Sequence, residues 1–231
     1  MQTLCVVQHT EGEYLGLMED HFESRSLRFI YARPFTAGGS IPASAEGFAG
    51  LILLGAGPRG VVSGELLPSL NAETRLTQAF LDAGLPVIGI GTGSLILARA
   101  CGCTIEAAPL RFEIGHARRT RDDALAGFMP PRFAYASYLR DRMRPDADTE
   151  VLAVGEADAA PMVFRLRGNC LGFTAHPGIK TGMIEDLVME FDEAPENIPE
   201  RLAHMTREQH AIADALSSLM VGIVKVCGLM S

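Results

Sequence analysis

Positive charge is scarce in this sequence. Twenty Lys and Arg face 28 Asp and Glu, for a net charge of −8. A site for a phosphate backbone needs a concentrated basic face. The densest basic cluster, Arg118-Arg119-Thr120-Arg121, is followed at once by Asp122 and Asp123, so it reads as a solvated loop and nucleic acid is not an expected partner. The five cysteines, Cys5, Cys101, Cys103, Cys170 and Cys227, are odd in number and scattered, which does not suggest a disulfide framework. Cys101-Gly102-Cys103 has no second Cys pair or His at ligand spacing, so it reads as a structural pair and no metal or other cofactor is expected. The chain opens without a basic stretch followed by an apolar run, so no signal peptide is read and a reducing cytoplasm is expected. Residues 211–230 are apolar-rich, but Asp214 and Lys225 within that span point to a packed helix and away from a membrane crossing. There is no internal repeat and no low-complexity segment.

What is present is a substantial core. Hydrophobic residues make up 48% of the 231, enough for a globular chain of one large domain or two small ones. Three unbroken apolar runs mark buried parallel strands: residues 3–8, residues 49–54 ending at Gly55-Ala56-Gly57-Pro58, and residues 85–90. Between the second and third, Leu76, Ala79, Phe80 and Leu81 follow helical spacing, with Asn71 as the expected N-cap. A further helix is expected over 94–100, stopping at Gly102. Strand alternating with helix predicts an α/β fold, a doubly wound, mostly parallel sheet with helices on both faces.

The middle of the chain reads differently. Residues 104–149 look like short extended pieces interrupted at Pro130-Pro131. Residues 151–154 and 162–166 read as strands, the second turning through Arg167-Gly168-Asn169 into 170–175. A helix follows over 183–191. Residues 192–199 are acidic and proline-punctuated, a connector that divides the chain into a domain of residues 1–191 and a C-terminal helical extension of residues 192–231. In the extension Ile212, Leu216, Leu219, Ile223 and Val226 form an amphipathic stripe that packs on its own domain or makes a homodimer.

The segment Gly89-Ile90-Gly91-Thr92-Gly93 joins a strand to a helix in the form G-x-nucleophile-x-G. Such an elbow holds its central residue in a strained turn at the carboxyl edge of the sheet, with small flanking residues so that the turn closes. The dipole of the following helix would lower the pKa of a thiol there. Pro86-Val87-Ile88-Gly89-Ile90-Gly91-Thr92-Gly93-Ser94-Leu95-Ile96-Leu97-Ala98 resembles the class I glutamine amidotransferase stretch P-V-L-G-I-C-L-G-x-Q-L-L-A. Four more segments resemble that family, in order. Residues 50–58 look like the strand and glycine loop that supply the oxyanion hole. Glu113-Ile114-Gly115 looks like the strand after the elbow helix. Pro130-Pro131-Arg132-Phe133 looks like the segment before the substrate-side loop. Gly172-Phe173-Thr174-Ala175-His176-Pro177-Gly178 looks like G-x-Q-F-H-P-E, which carries the catalytic histidine and glutamate. The resemblance spans about residues 3–190 and implies the flavodoxin-like fold of that family.

The chemistry it implies is incomplete. The nucleophilic cysteine falls on Gly91, the glutamine-contacting residue on Leu95, the general base on His176, and the glutamate that orients the base on Gly178. Loss of the nucleophile in triad hydrolases lowers kcat by roughly 10⁶. The oxyanion hole and binding alone leave roughly 10³–10⁴ over water, so no useful glutaminase activity is expected. Thr92 and Ser94 read as residues offering hydroxyls to the free N–H groups of the helix, and not as substitute nucleophiles. Cys170 lies about 20 Å along the strand from His176, too far to be its thiol partner. The two missing side chains suggest a pocket enlarged around His176, with Gly55, Ala56, Gly57, Gly91, Thr92, Leu95 and His9 as ligand-binding candidates. His9, His176 and Glu113 could hold a metal, but their spacing does not demand one. Three functions stay open: a relative binding an amide, amino acid or carboxylate; an inactive subunit or interaction module; and an active amidotransferase.

Overall fold

The structure, a computed structural model, describes residues 2–229. Met230, at the end of the apolar-rich tail, lies outside them. The chain begins with β1 (Thr3–Val7), α1 (Met18–Glu23), β2 (Arg28–Ala32), β3 (Gly50–Leu53), α2 (Leu70–Asp82), β4 (Val87–Ile90) and α3 (Thr92–Ala100). It continues with β5 (Thr104–Glu106), β6 (Arg111–Arg119), β7 (Arg132–Leu139), β8 (Arg142–Arg144), β9 (Glu150–Gly155), β10 (Pro161–Leu166) and β11 (Cys170–Phe173). Two helices close it, α4 (Thr181–Glu190) and α5 (Ile198–Val226).

One nine-stranded sheet runs in the order β2-β1-β3-β4-β11-β10-β9-β6-β7. The first five strands are parallel and the rest antiparallel. The parallel strands alternate strictly between two cores. Leu4, Val6, Ile52, Ile88 and Ile90 face one, with α1 and the second half of α5. Cys5, Val7, Leu51, Leu53 and Val87 face the other, with α2 and α3. Because both faces are covered, these strands read as continuous apolar runs. The doubly wound α/β architecture expected from the sequence is present, with an antiparallel wing added.

That wing is the main departure from the sequence reading. Instead of short pieces, β6 and β7 form a long antiparallel pair in register from Arg111↔Leu139 to Arg118↔Arg132. β6 carries Arg111, Glu113, His116, Arg118 and Arg119, so it lacks the unbroken apolar signature of the parallel strands. The edge strand β2, also unanticipated, is half exposed. The β10–β11 hairpin turns as expected through Arg167 and Gly168, both left-handed at φ 47° and 76°.

α5 begins at Ile198, so the connector's last residues are already helical. Its stripe residues Ile212, Leu216, Leu219 and Ile223 are buried against the chain's own core, and Val226 is partly buried against it. Among the described residues no helix is long and apolar enough to cross a membrane.

Candidate active site at the elbow

The elbow has the geometry its sequence requires. A Cβ on Gly89 would lie 2.4 Å from the Gly93 carbonyl oxygen, and one on Gly93 would lie 2.1 Å from that of Leu53. The two outer glycines therefore let α3 close directly onto β4 and β3. Gly91 between them sits at φ 55°, ψ −124°, a conformation costly for any side-chain-bearing residue. Its N–H donates to the Phe173 carbonyl at 2.8 Å, tying the elbow to β11. A Cβ here would meet only the Gly55 backbone, with its Cα nearest at 3.4 Å. The position has room for a side chain and carries none.

The hydroxyls nearby do not cap the helix as expected. Ser94 Oγ donates to the Gly91 carbonyl at 2.7 Å, and Thr92 Oγ1 is buried without a partner. Leu95 is fully buried in the apolar cluster under α2 and α3, so it lines core instead of a ligand site. Ala56 is likewise fully buried there.

His176 follows β11 and is 6% exposed. Its Nδ1 accepts the Gly178 N–H at 3.1 Å, which leaves the ring proton on Nε2, donated to the Tyr14 carbonyl at 2.7 Å. Both ring nitrogens are thus engaged with backbone. Burial pushes its pKa down to about 4, against the opposing pull of the Tyr14 carbonyl. At neutral pH the imidazole is uncharged and its one lone pair is already occupied.

Gly178 explains this arrangement. A Cβ there would lie 2.8 Å from the Met18 backbone nitrogen and 2.9 Å from the Leu15 carbonyl oxygen. A Cβ on Gly16 would sit 2.2 Å from the Gly178 carbonyl oxygen. Two glycines let the 10–17 loop lie on the 176–178 segment, pinned by Leu17 N–H donating to the Gly178 carbonyl at 2.9 Å. The expected enlargement around His176 is therefore not found. The space a glutamate would need is filled by Leu15 and Met18, and the cavity beside His176 is about 20 Å³, room for about one water.

The Gly55-Ala56-Gly57 loop lies against Gly91. His9 Nδ1 donates to the Gly55 carbonyl at 2.8 Å and Nε2 donates to Glu73 on α2 at 2.7 Å. With Glu73 ionised, both ring nitrogens face acceptors and the ring is the imidazolium. Burial, the largest influence, opposes that charge, but the Glu73 carboxylate, the Gly55 carbonyl and Glu13 outweigh it and raise the pKa. The pair is fully buried. His9 thus holds the glycine loop from beneath and is closed to solvent. Glu13, 7% exposed, places a carboxylate oxygen 2.5 Å from the Gly57 nitrogen and accepts its N–H. Its pKa is raised to about 7, first by burial, against the Gly57 N–H and His9, with Glu190 adding to the rise.

The structure thus brings His9, Gly55 and Gly57 together, with Gly91 against Gly55. It places Glu113 elsewhere, paired with Arg111 at 3.2 Å. His9, His176 and Glu113 do not share a site. Among the described residues no group of three or more His, Cys, Asp or Glu side chains is placed to hold a metal. Glu13 and Glu73 were missed by sequence reasoning. Glu73 carried a signal: with Leu70, Leu76, Thr77 and Phe80 it lies on the buried face of α2, and a carboxylate in such a stripe needs a buried partner.

Beyond the elbow, β6 and β7 frame a larger cleft. Its volume is about 230 Å³, and its lining includes Arg111, Glu113, Ser137, Arg142, Asp158 and Thr174. Arg111 Nε is buried without a partner.

Comparison with solved structures places the fold. The chain superposes on a glutamine amidotransferase from Thermotoga maritima with a TM-score of 0.81, at 18% identity and covering 98% of each chain. It superposes equally on a glutamine amidotransferase from Methylobacillus flagellatus, TM-score 0.81, at 17% identity and covering 97% of this chain and 95% of that one. The fold is that of the class I glutamine amidotransferases. No family model and no curated protein sequence matches the chain.

Proposed function

We propose that this protein is a class I glutamine amidotransferase-like chain that does not hydrolyse glutamine and instead binds a small polar ligand. The observation carrying the first half is the state of His176. Its lone pair is taken by the Gly178 N–H and its proton by the Tyr14 carbonyl, so it has nothing with which to activate a nucleophile. Gly91 supplies no nucleophile to activate. The orienting carboxylate has no space at 178. Glutamate release from glutamine should fall far below roughly 1 s⁻¹, an ordinary kcat; turnover at that rate would overturn the reading.

The cleft supports the second half. Arg111 and Arg142 offer positive charge, Glu113 and Asp158 negative charge, and Ser137 and Thr174 hydroxyls, within about 230 Å³. That set suits an amino acid, amide or small carboxylate. A thermal-shift screen of such compounds should give a stabilised complex, and Arg111→Ala should remove the shift. A panel without a hit would count against it. The alternative of an inactive interaction subunit drew on the α5 stripe, and that stripe is buried in this chain's own core.

A further inference from the structure

We propose that Glu13 is a built-in ligand: its carboxyl group occupies a carboxyl-sized receptor in the Gly55–Gly57 loop and closes it to external carboxylic acids. The fit is specific. A Cβ on Gly55 would lie 1.7 Å from Glu13 Oε1, so only glycine admits the carboxylate against the loop backbone. Gly57, left-handed at φ 60°, aims its N–H at Glu13 Oε2 at 2.5 Å. The His9 imidazolium, bonded to the Gly55 carbonyl, lies behind the same loop.

Charge around Glu13 is poorly balanced for a side chain with a purely structural role. His9 is already committed to Glu73 at 2.7 Å. Glu190 on α4 faces Glu13 with the same sign. Tyr138 on β7 lies within its electrostatic reach, its hydroxyl buried without a partner. Buried carboxylates are normally matched by a dedicated cation, whereas Glu13 shares one. What holds it is the loop: one short N–H bond and a glycine-lined contact. The backbone that receives the carboxyl group (Gly55, Gly57) follows β3, whereas the residue that fills it (Glu13) lies between β1 and α1, so the loop can outlast its occupant. The proposal does not depend on how the β6–β7 cleft is used.

The test is chemical rescue in the full chain. Glu13→Ala should melt below wild type. Sodium formate or acetate should then raise its Tm saturably, by roughly 3–6 °C at ten times Kd, with no matching effect of chloride at equal ionic strength. Wild type and Glu13→Gln, whose side chains still fill the receptor, should not respond. If Glu13→Ala has no cooperative melt alone, formate should restore one. A second route uses Gly55→Ala, whose methyl evicts the carboxylate. Its destabilisation and that of Glu13→Ala should be strongly less than additive. A wild-type response equal to that of Glu13→Ala, no carboxylate-specific rescue, or full additivity of the two substitutions would each overturn the proposal.

Discussion

Stability should depend on pH through two buried groups that nearly cancel, and removing either should unmask the other. His176 titrates near 6.5 when unfolded and at about 4 when folded. As pH falls, the unfolded chain takes up this proton first, so acid draws the equilibrium toward unfolding. Between pH 7 and 5 the loss is about 2 kcal/mol, at 1.36 kcal/mol per pH unit of separation. Glu13 acts oppositely. Its folded pKa is about 7 against an ordinary 4.5, so the folded chain takes up the proton first and gains about 2 kcal/mol over the same interval. The wild-type contribution from the pair is then nearly flat. Urea unfolding across pH 5–7 should show His176→Gln gaining about 2 kcal/mol on acidification, and Glu13→Gln losing about as much. Profiles parallel to wild type in both variants would refute the burial argument for these groups. So would a His176 ring that titrates near 6.5 by NMR in the folded protein.

Close packing and buried charge set the remaining expectations. Gly178→Ala should destabilise by about 1–3 kcal/mol, because the new Cβ meets the Met18 and Leu15 backbone; Gly178→Glu should be worse, so denaturant midpoints should rank wild type, alanine, glutamate. Gly91→Cys meets no such wall, so its cost is the backbone strain at φ 55°, about 1–3 kcal/mol; it should fold, yet release no glutamate from glutamine, since His176 has no free lone pair. Glu73→Gln should destabilise by about 3–5 kcal/mol, with the His9 imidazolium left buried beside a neutral amide; a melt within about 1 °C of wild type, a fraction of the shift expected per kcal/mol, would show that the His9–Glu73 pair is not charged.

The parts of this fold that the sequence announced are those where one physical demand dominates. β1, β3 and β4 are covered on both faces, so their apolar runs are unbroken. The elbow glycines are required by direct backbone contact, and Gly89 and Gly93 can be recognised from spacing alone. β6 and β7 were obscured because their pairing partners lie far apart in sequence and charged residues interrupt β6. The site divides in the same way. Gly91 and Gly178 both read as missing side chains, yet the structure gives them opposite meanings. At Gly91 the space is open to a Cβ; at Gly178 it is filled by the 10–17 loop. A missing side chain can leave a hole or mark where another segment has moved in, and only the neighbours decide which. That loop carries Glu13, Tyr14 and Gly16, none of which stands out in sequence. Together they take the His176 proton, accept the Gly57 N–H and press against Gly178. On the proposed reading, His176, the residue that the resemblance puts at the general base, is thereby held by a segment that leaves it no free lone pair. The double substitution Gly91→Cys with Gly178→Glu would therefore fail to restore hydrolysis while Gly16 and Tyr14 stay in place, and any return of glutamate release would first require that loop to be displaced.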